Sequence, residues 1–171
     1  MEETASTART ALKYGVLTSV AIMVFTTILN ISGQSQNKWL AMISYVIMIV
    51  GIVLAMKEFR EINKGFMTYG EGLGLGSLVS AILGFFASMF AMVYIKFIDP
   101  TIMTQTLDKA RADMEAQGLD DSQIDRFMET SEKFSSPGIM FAAGVFGYLI
   151  MGFIFSLVIA AIVRREKPVF E

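Results

Sequence analysis

Four stretches free of Asp, Glu, Lys and Arg interrupt an otherwise charged chain, at residues 14–37, 39–56, 72–95 and 135–163. A helix needs about 20 predominantly apolar residues, at about 1.5 Å rise each, to cross roughly 30 Å of hydrocarbon, and only the second stretch lies near the lower limit. The pattern predicts an all-α integral membrane protein with four transmembrane helices at about 13–33, 38–57, 72–97 and 138–164.

The connections differ in kind. Residues 33–38 are short and polar, which predicts an antiparallel hairpin of the first two helices, with Trp39 at the membrane interface. Between Lys57 and Glu71, the residues Phe59, Ile62, Phe66 and Tyr69 recur at spacings of three to four among charged side chains. That spacing reads as an interfacial amphipathic turn or short helix. The third connection is long enough to hold helices of its own. Asp99-Pro100-Thr101 has the form of a helix start, Gly118 of a stop, and Asp120, Asp121 or Ser122 of a second cap. Apolar stripes at Ile102, Leu107, Ala110 and Met114, then at Ile124, Phe127 and Met128, predict a two-helix extracytoplasmic hairpin over about 100–136, lying on the outer face of the bundle. Pro137 then opens the last membrane helix, where its missing N–H costs nothing.

Composition narrows the chemistry. The chain is 54% hydrophobic with a mean hydropathy of +0.56, which points to the bilayer as its solvent. It has neither Cys nor His, which removes disulfides, thiolate nucleophiles, His-ligated haem and nearly all zinc, copper and iron–sulfur sites. No cofactor, metal or catalytic residue is expected. A net charge of −2 without any long basic run sets nucleic acid aside as a partner. Arg9 and Lys13 before the first apolar run, with Ser32 and Gly33 after it, give the outline of a signal peptide. The run exceeds the about 7–15 residues of an apolar signal core and places Ile31 at −3, so it is expected to persist as a helix.

Basic residues close to the helix ends set orientation. Arg9, Lys13, Lys57, Arg60, Lys64, Arg164, Arg165 and Lys167 fall on one side, while those of the other side are diluted along the acidic connection at 96–136. Both termini are therefore expected to be cytoplasmic.

Within the helices the clearest feature is a series of small residues. Gly72, Gly76, Ser80, Gly84 and Ser88 follow an uninterrupted i, i+4 spacing in the third membrane helix, and Gly144, Gly152, Ser156 and Ala160 repeat it in the fourth, broken by Tyr148. Such stripes let two backbones approach closely. Two readings are open: intramolecular contact of the third helix with the fourth, which is preferred, or an oligomer or partner interface. Gly70-Glu71-Gly72-Leu73-Gly74 is no phosphate cradle, since no strand precedes it and no Lys follows in register.

The helix centres carry no ionisable residue, which argues against a proton-coupled pump. Lys96 is expected to snorkel, and Glu71 to act as a structural cap or ion-pair partner near Lys57, Arg60 and Lys64. Ser19, Thr26, Thr27, Asn30 and Ser44 are expected to hydrogen-bond between helices or to line a narrow polar path. The acidic pairs Asp120/Asp121 and Asp125/Glu129 read as a solvated helix face rather than a cation site.

The run 57–66, Lys-Glu-Phe-Arg-Glu-Ile-Asn-Lys-Gly-Phe, continues through Thr68-Tyr69-Gly70-Glu71 into a glycine-rich helix. With Phe97-Ile98-Asp99-Pro100 and Ser136-Pro137, it resembles a domain-of-unknown-function family of small four-helix membrane proteins common in Bacteroidetes. The resemblance covers nearly the whole chain. It implies a bacterial inner-membrane protein and supplies no catalytic residue, leaving Glu71, Asn30, Asn63 and Arg60 as the polar candidates. The expected role is a non-enzymatic accessory or scaffold protein, acting by helix packing and through its outer acidic hairpin on a protein or lipid partner, with membrane lipids and a membrane-protein partner or a homo-oligomer as the expected company. The rival is a small transporter or channel, with Asn30, Glu71 and the hydroxyl residues lining a path.

Overall fold

The computed structural model describes residues 6–167. Among the described residues there are six helices: α1 (Thr7–Ile31), α2 (Lys38–Ile62), α3 (Tyr69–Phe97), α4 (Thr101–Ala116), α5 (Asp121–Phe134) and α6 (Pro137–Val163). Of these, α1, α2, α3 and α6 are long and apolar enough to cross a membrane. At 25, 25, 29 and 27 residues they measure about 37–44 Å, so their end turns reach beyond a hydrocarbon layer of about 30 Å unless they tilt.

Two helices outrun their charge-free cores because nothing stops them. Lys, Glu and Arg are good helix formers, so α2 carries Lys57–Ile62 as its own last turns rather than as a separate amphipathic segment. It ends at Asn63, where Lys64 (φ 56°) and Gly65 (φ 86°) turn left-handed and the Gly65 N–H reaches the Arg60 carbonyl at 2.8 Å. At the other end of the chain, α1 starts at Thr7, capped by the Ser6 hydroxyl accepting from the Arg9 N–H.

By contact density the chain divides into two units, residues 6–87 with 144–167, and residues 88–143. In the first unit α1 and α2 form an antiparallel hairpin closed by the turn at Gly33 and by the Asn37 cap on α2. Gly51 of α2 lies so close to Thr18 of α1 that any Cβ on it would overlap the Thr18 hydroxyl. Gly15 brings α1 onto α3, where a Cβ would stand 2.7 Å from the Ile82 Cβ.

The contact of α3 with α6 is close at four successive levels. The two helices run antiparallel in one register, Gly72 against Ala160, Gly76 against Ser156, Ser80 against Gly152 and Gly84 against Tyr148. A Cβ on Gly76 or on Gly152 would overlap the hydroxyl opposite it, and one on Gly84 would stand 2.9 Å from the Tyr148 Cβ. Tyr148, the break in the α6 small-residue series, therefore lies opposite a glycine and keeps the helices close. Methionines fill what the glycines leave open. Met67, Met56 and Met48, all fully buried, bring their terminal methyls toward Gly72, Gly76 and Gly152, where added Cβ atoms would stand 3.1, 3.0 and 2.7 Å away.

Large apolar side chains occupy the outer faces as well as the core, where a few small hydroxyl residues join them. Thr18, Ser19, Ser80 and Ser156 are buried, while Leu17, Val24, Val46, Leu54, Phe146 and Val158 are exposed. These outer faces are the ones a bilayer would cover.

The second unit contains α4 and α5, which contact each other as a helical hairpin. Asp99 accepts the Thr101 N–H at 3.0 Å, and Pro100 already has helical angles of φ −64° and ψ −17°. Gly118 (φ 74°) ends α4, with the Leu119 N–H on the Met114 carbonyl and the Gly118 N–H on that of Glu115. Asp120 is the cap of α5, and Ile124 is a buried side chain of that helix. Ser88 also falls in this unit, buried, with its hydroxyl unpartnered.

Gly76→Leu and Gly84→Leu should each lower stability by at least about 1–3 kcal/mol in thermal melts of the detergent-solubilised protein. Gly74→Leu, where nothing lies within 4 Å, should be neutral or stabilising. Adding Ser156→Gly to Gly76→Ala should recover part of the loss from Gly76→Ala alone. Equal melts for the Gly74 and Gly76 variants would refute the register.

Candidate functional site

Three segments of the first unit meet at the end where α2 stops, α3 starts and α6 stops. Met67 and Arg165 form an isolated antiparallel bridge, each N–H donating to the other's carbonyl at 2.8 Å. Arg60 Nη1 donates to the Val163 carbonyl at 3.1 Å, satisfying a free acceptor at the C-terminus of α6. Asn63 Nδ2 donates to the Phe66 carbonyl at 3.0 Å and braces the turn. Together these bonds hold open a pocket of about 410 Å³, with Asn63, Phe66, Met67, Thr68 and Glu71 on one side and Arg165, Glu166 and Lys167 on the other.

Glu71 has a local task. Its Oε2 accepts the Thr68 N–H at 2.8 Å and the Thr68 hydroxyl at 2.9 Å, while the Glu71 N–H donates to Thr68 Oγ1 at 3.3 Å. Thr68-x-x-Glu71 is thus a capping box at the start of α3, with the carboxylate at the positive end of the helix dipole. Glu166 accepts from Arg164 Nη1 at 3.5 Å. Both acids of the pocket have partners, whereas the Arg165 and Lys167 side chains form no hydrogen bond or ion pair among the described residues.

A second cluster was not legible in the sequence. Lys13 and Tyr14 of α1 both donate to Glu58 Oε2 of α2, the tyrosine at 2.8 Å, and the Lys13 ammonium also lies 5.1 Å from the Tyr14 ring centre. Folding the α1–α2 hairpin about the turn at 33–37 brings residues 13 and 14 opposite 56–58, which is the signal that would have found it.

The structure brings Asn63 and Glu71 into one pocket and Arg60 into its frame. Asn30 is elsewhere. It lies near the other end of α1, about 24 Å along the helix from Tyr14, with its carbonyl accepting the Gly33 N–H at 3.1 Å. Three of the hydroxyls expected to bond between helices turn back on their own helix instead. Ser19 donates to Val16, Thr26 to Ile22 and Thr27 to Met23, at 2.7–2.9 Å, and Ser80 of the small-residue series likewise donates to Gly76 at 2.8 Å. A β-hydroxyl in a helix reaches the carbonyl three or four residues back before it can reach a neighbour. Ser156 Oγ is buried without a partner.

The acidic residues of the hairpin are likewise engaged locally. Asp120 bonds Ser122, Asp125 pairs with Arg111 at 3.4 Å and Glu129 with Lys133 at 2.8 Å. Among the described residues, no three acidic side chains gather as a group able to hold a metal.

An all-helical chain with four helices suited to spanning a membrane and a polar pocket at one end of them has the make-up of a small multi-pass membrane protein. A family model described as protein of unknown function (DUF4199) matches residues 13–165, and the chain belongs to that family. No curated protein and no solved structure gives a significant match.

Glu71→Ala removes the carboxylate half of the capping box, leaving the residue 71 N–H on Thr68 Oγ1, and should cost about 0.3–1.5 kcal/mol in thermal or denaturant unfolding. Glu71→Gln preserves the capping geometry and should cost only a few tenths of a kcal/mol. Equal losses in the two variants would mean that the carboxylate charge, not the cap, carries the effect.

Proposed function

We propose that the protein is a non-enzymatic accessory or scaffold protein of the bacterial inner membrane, with both termini and the α2–α3 turn on the cytoplasmic side and the α4–α5 hairpin outside. The observation that supports this reading is where the close-packing residues go. Gly72, Gly76, Ser80, Gly84, Gly152 and Ser156 are taken up between α3 and α6 of the same chain, with methionine methyls against three of the glycines. The side-chain hydroxyls of Ser19, Thr26, Thr27 and Ser80 bond to their own helices, so they offer little to a polar conduit. The surfaces open to a partner include the apolar outer faces, the α4–α5 hairpin and the pocket where α6 ends.

Mild extraction of the tagged protein from its own membrane, followed by native mass spectrometry, tests the reading. A stoichiometric protein or a specific lipid is the expected companion. A bare homo-oligomer that passes ions or small solutes in reconstituted vesicles would replace it with a transporter.

A further inference from the structure

We infer that the pocket between the α2–α3 turn and the segment after α6 binds the phosphate of an anionic membrane lipid. The inference deepens the accessory reading and rests on its membrane placement.

Three observations converge. The first is charge. Of the four ionised side chains lining the pocket, Glu71 is held by Thr68 and Glu166 by Arg164, and the two without a described partner are both cations, Arg165 and Lys167. A guanidinium beside an ammonium suits a phosphodiester, the first offering a planar fork and the second a mobile point charge. Glu71 and Glu166 line the same space and balance the two cations in number, so an anion gains there only where it reaches both cations together.

The second is preorganisation. Arg165 is the bridge partner of Met67, fixed by two main-chain hydrogen bonds at 2.8 Å, and Arg60 pins the Val163 carbonyl just before it. The root of the Arg165 side chain is therefore set before any ligand arrives, which lowers the ordering cost of binding.

The third is position and mixed polarity. The pocket lies where the charge-free core of α6 gives way to Arg164 and Arg165, the depth at which lipid headgroups sit. Its wall includes the half-buried Phe66 beside Asn63 and Thr68, so an apolar glycerol ester region and a charged headgroup each meet matching surface. A volume of about 410 Å³ is of the size that small-molecule sites occupy.

The full-length protein in neutral detergent should be titrated with short-chain phosphatidylglycerol, with phosphatidylcholine and with inorganic phosphate, and bound species counted by native mass spectrometry. The expected result is one phosphatidylglycerol held at least tenfold more tightly than phosphatidylcholine. Arg165→Gln with Lys167→Gln should abolish that preference, and Lys133→Gln, on α5, should leave it intact. Lys167→Glu, which disturbs no main-chain bond of the bridge, should do the same as the double variant and covers the case in which the latter fails to fold. Phosphatidylglycerol preference unchanged in both pocket variants would overturn the inference. So would millimolar inorganic phosphate binding without lipid preference, which would mark a site for a soluble anion. In either case a protein companion found on native extraction would leave the accessory reading standing.

Discussion

Everything in the first unit depends on how closely the backbones of α3 and α6 approach. Helices in a bilayer gain little from excluding lipid, so their association rests on van der Waals contact, which requires small residues where the axes come together. Here the requirement is met by reciprocity: glycine on α3 faces serine on α6 at one level, and serine faces glycine at the next. Neither helix could carry the larger residue at both levels.

That approach dictates what α2 must supply. Each glycine leaves a shallow void beside the serine it faces, and a void loses dispersion contacts with its lining. Met48 and Met56, fully buried on α2, are unbranched and long enough to lay a methyl into such a space. On its other side α2 meets α1 through Gly51 and Thr18, and the Lys13–Tyr14–Glu58 cluster closes the end of that contact. The buried polar atoms follow the same logic. Ser80 returns its proton to the Gly76 carbonyl, whereas Ser156 is small enough for its site and has its hydroxyl unpartnered, the sort of group that in an apolar interior costs about 1–3 kcal/mol.

The four long helices and their small-residue series were legible because both are statements about composition at fixed spacing. Helix ends were less so. Charge marks where a chain leaves hydrocarbon, not where its helix stops, and α2 runs on through Lys57, Glu58, Arg60 and Glu61 until Asn63 and the left-handed Lys64. Glu71 was readable as a cap in kind, although Thr68 as its partner emerges only once α3 is seen to begin at Tyr69. The hydroxyl bonds were misjudged because a sequence shows which residues can donate, while the nearest acceptor is the helix's own carbonyl. The pocket itself had no sequence signal, since Met67 and Arg165 are far apart in the chain and meet through main-chain atoms that carry no side-chain identity.

The pocket is nevertheless a consequence of the α3–α6 contact. Extending that register beyond Gly72 and Ala160, away from Gly76, carries Met67 to Arg165, the same two residues that form the bridge. Once the glycines set the spacing of the helices and the serines set their register, the two strands of chain beyond their ends arrive opposite one another at hydrogen-bonding distance. The side chains near that bridge, Thr68 with Glu71 in the first turn of α3 on one side and Lys167 on the other, then face a common space whose width the close-packed helices have already determined. A change in the α3–α6 spacing would therefore be transmitted to the pocket through rigid helix ends, and the same series that holds the helices together also positions the charges at their tips.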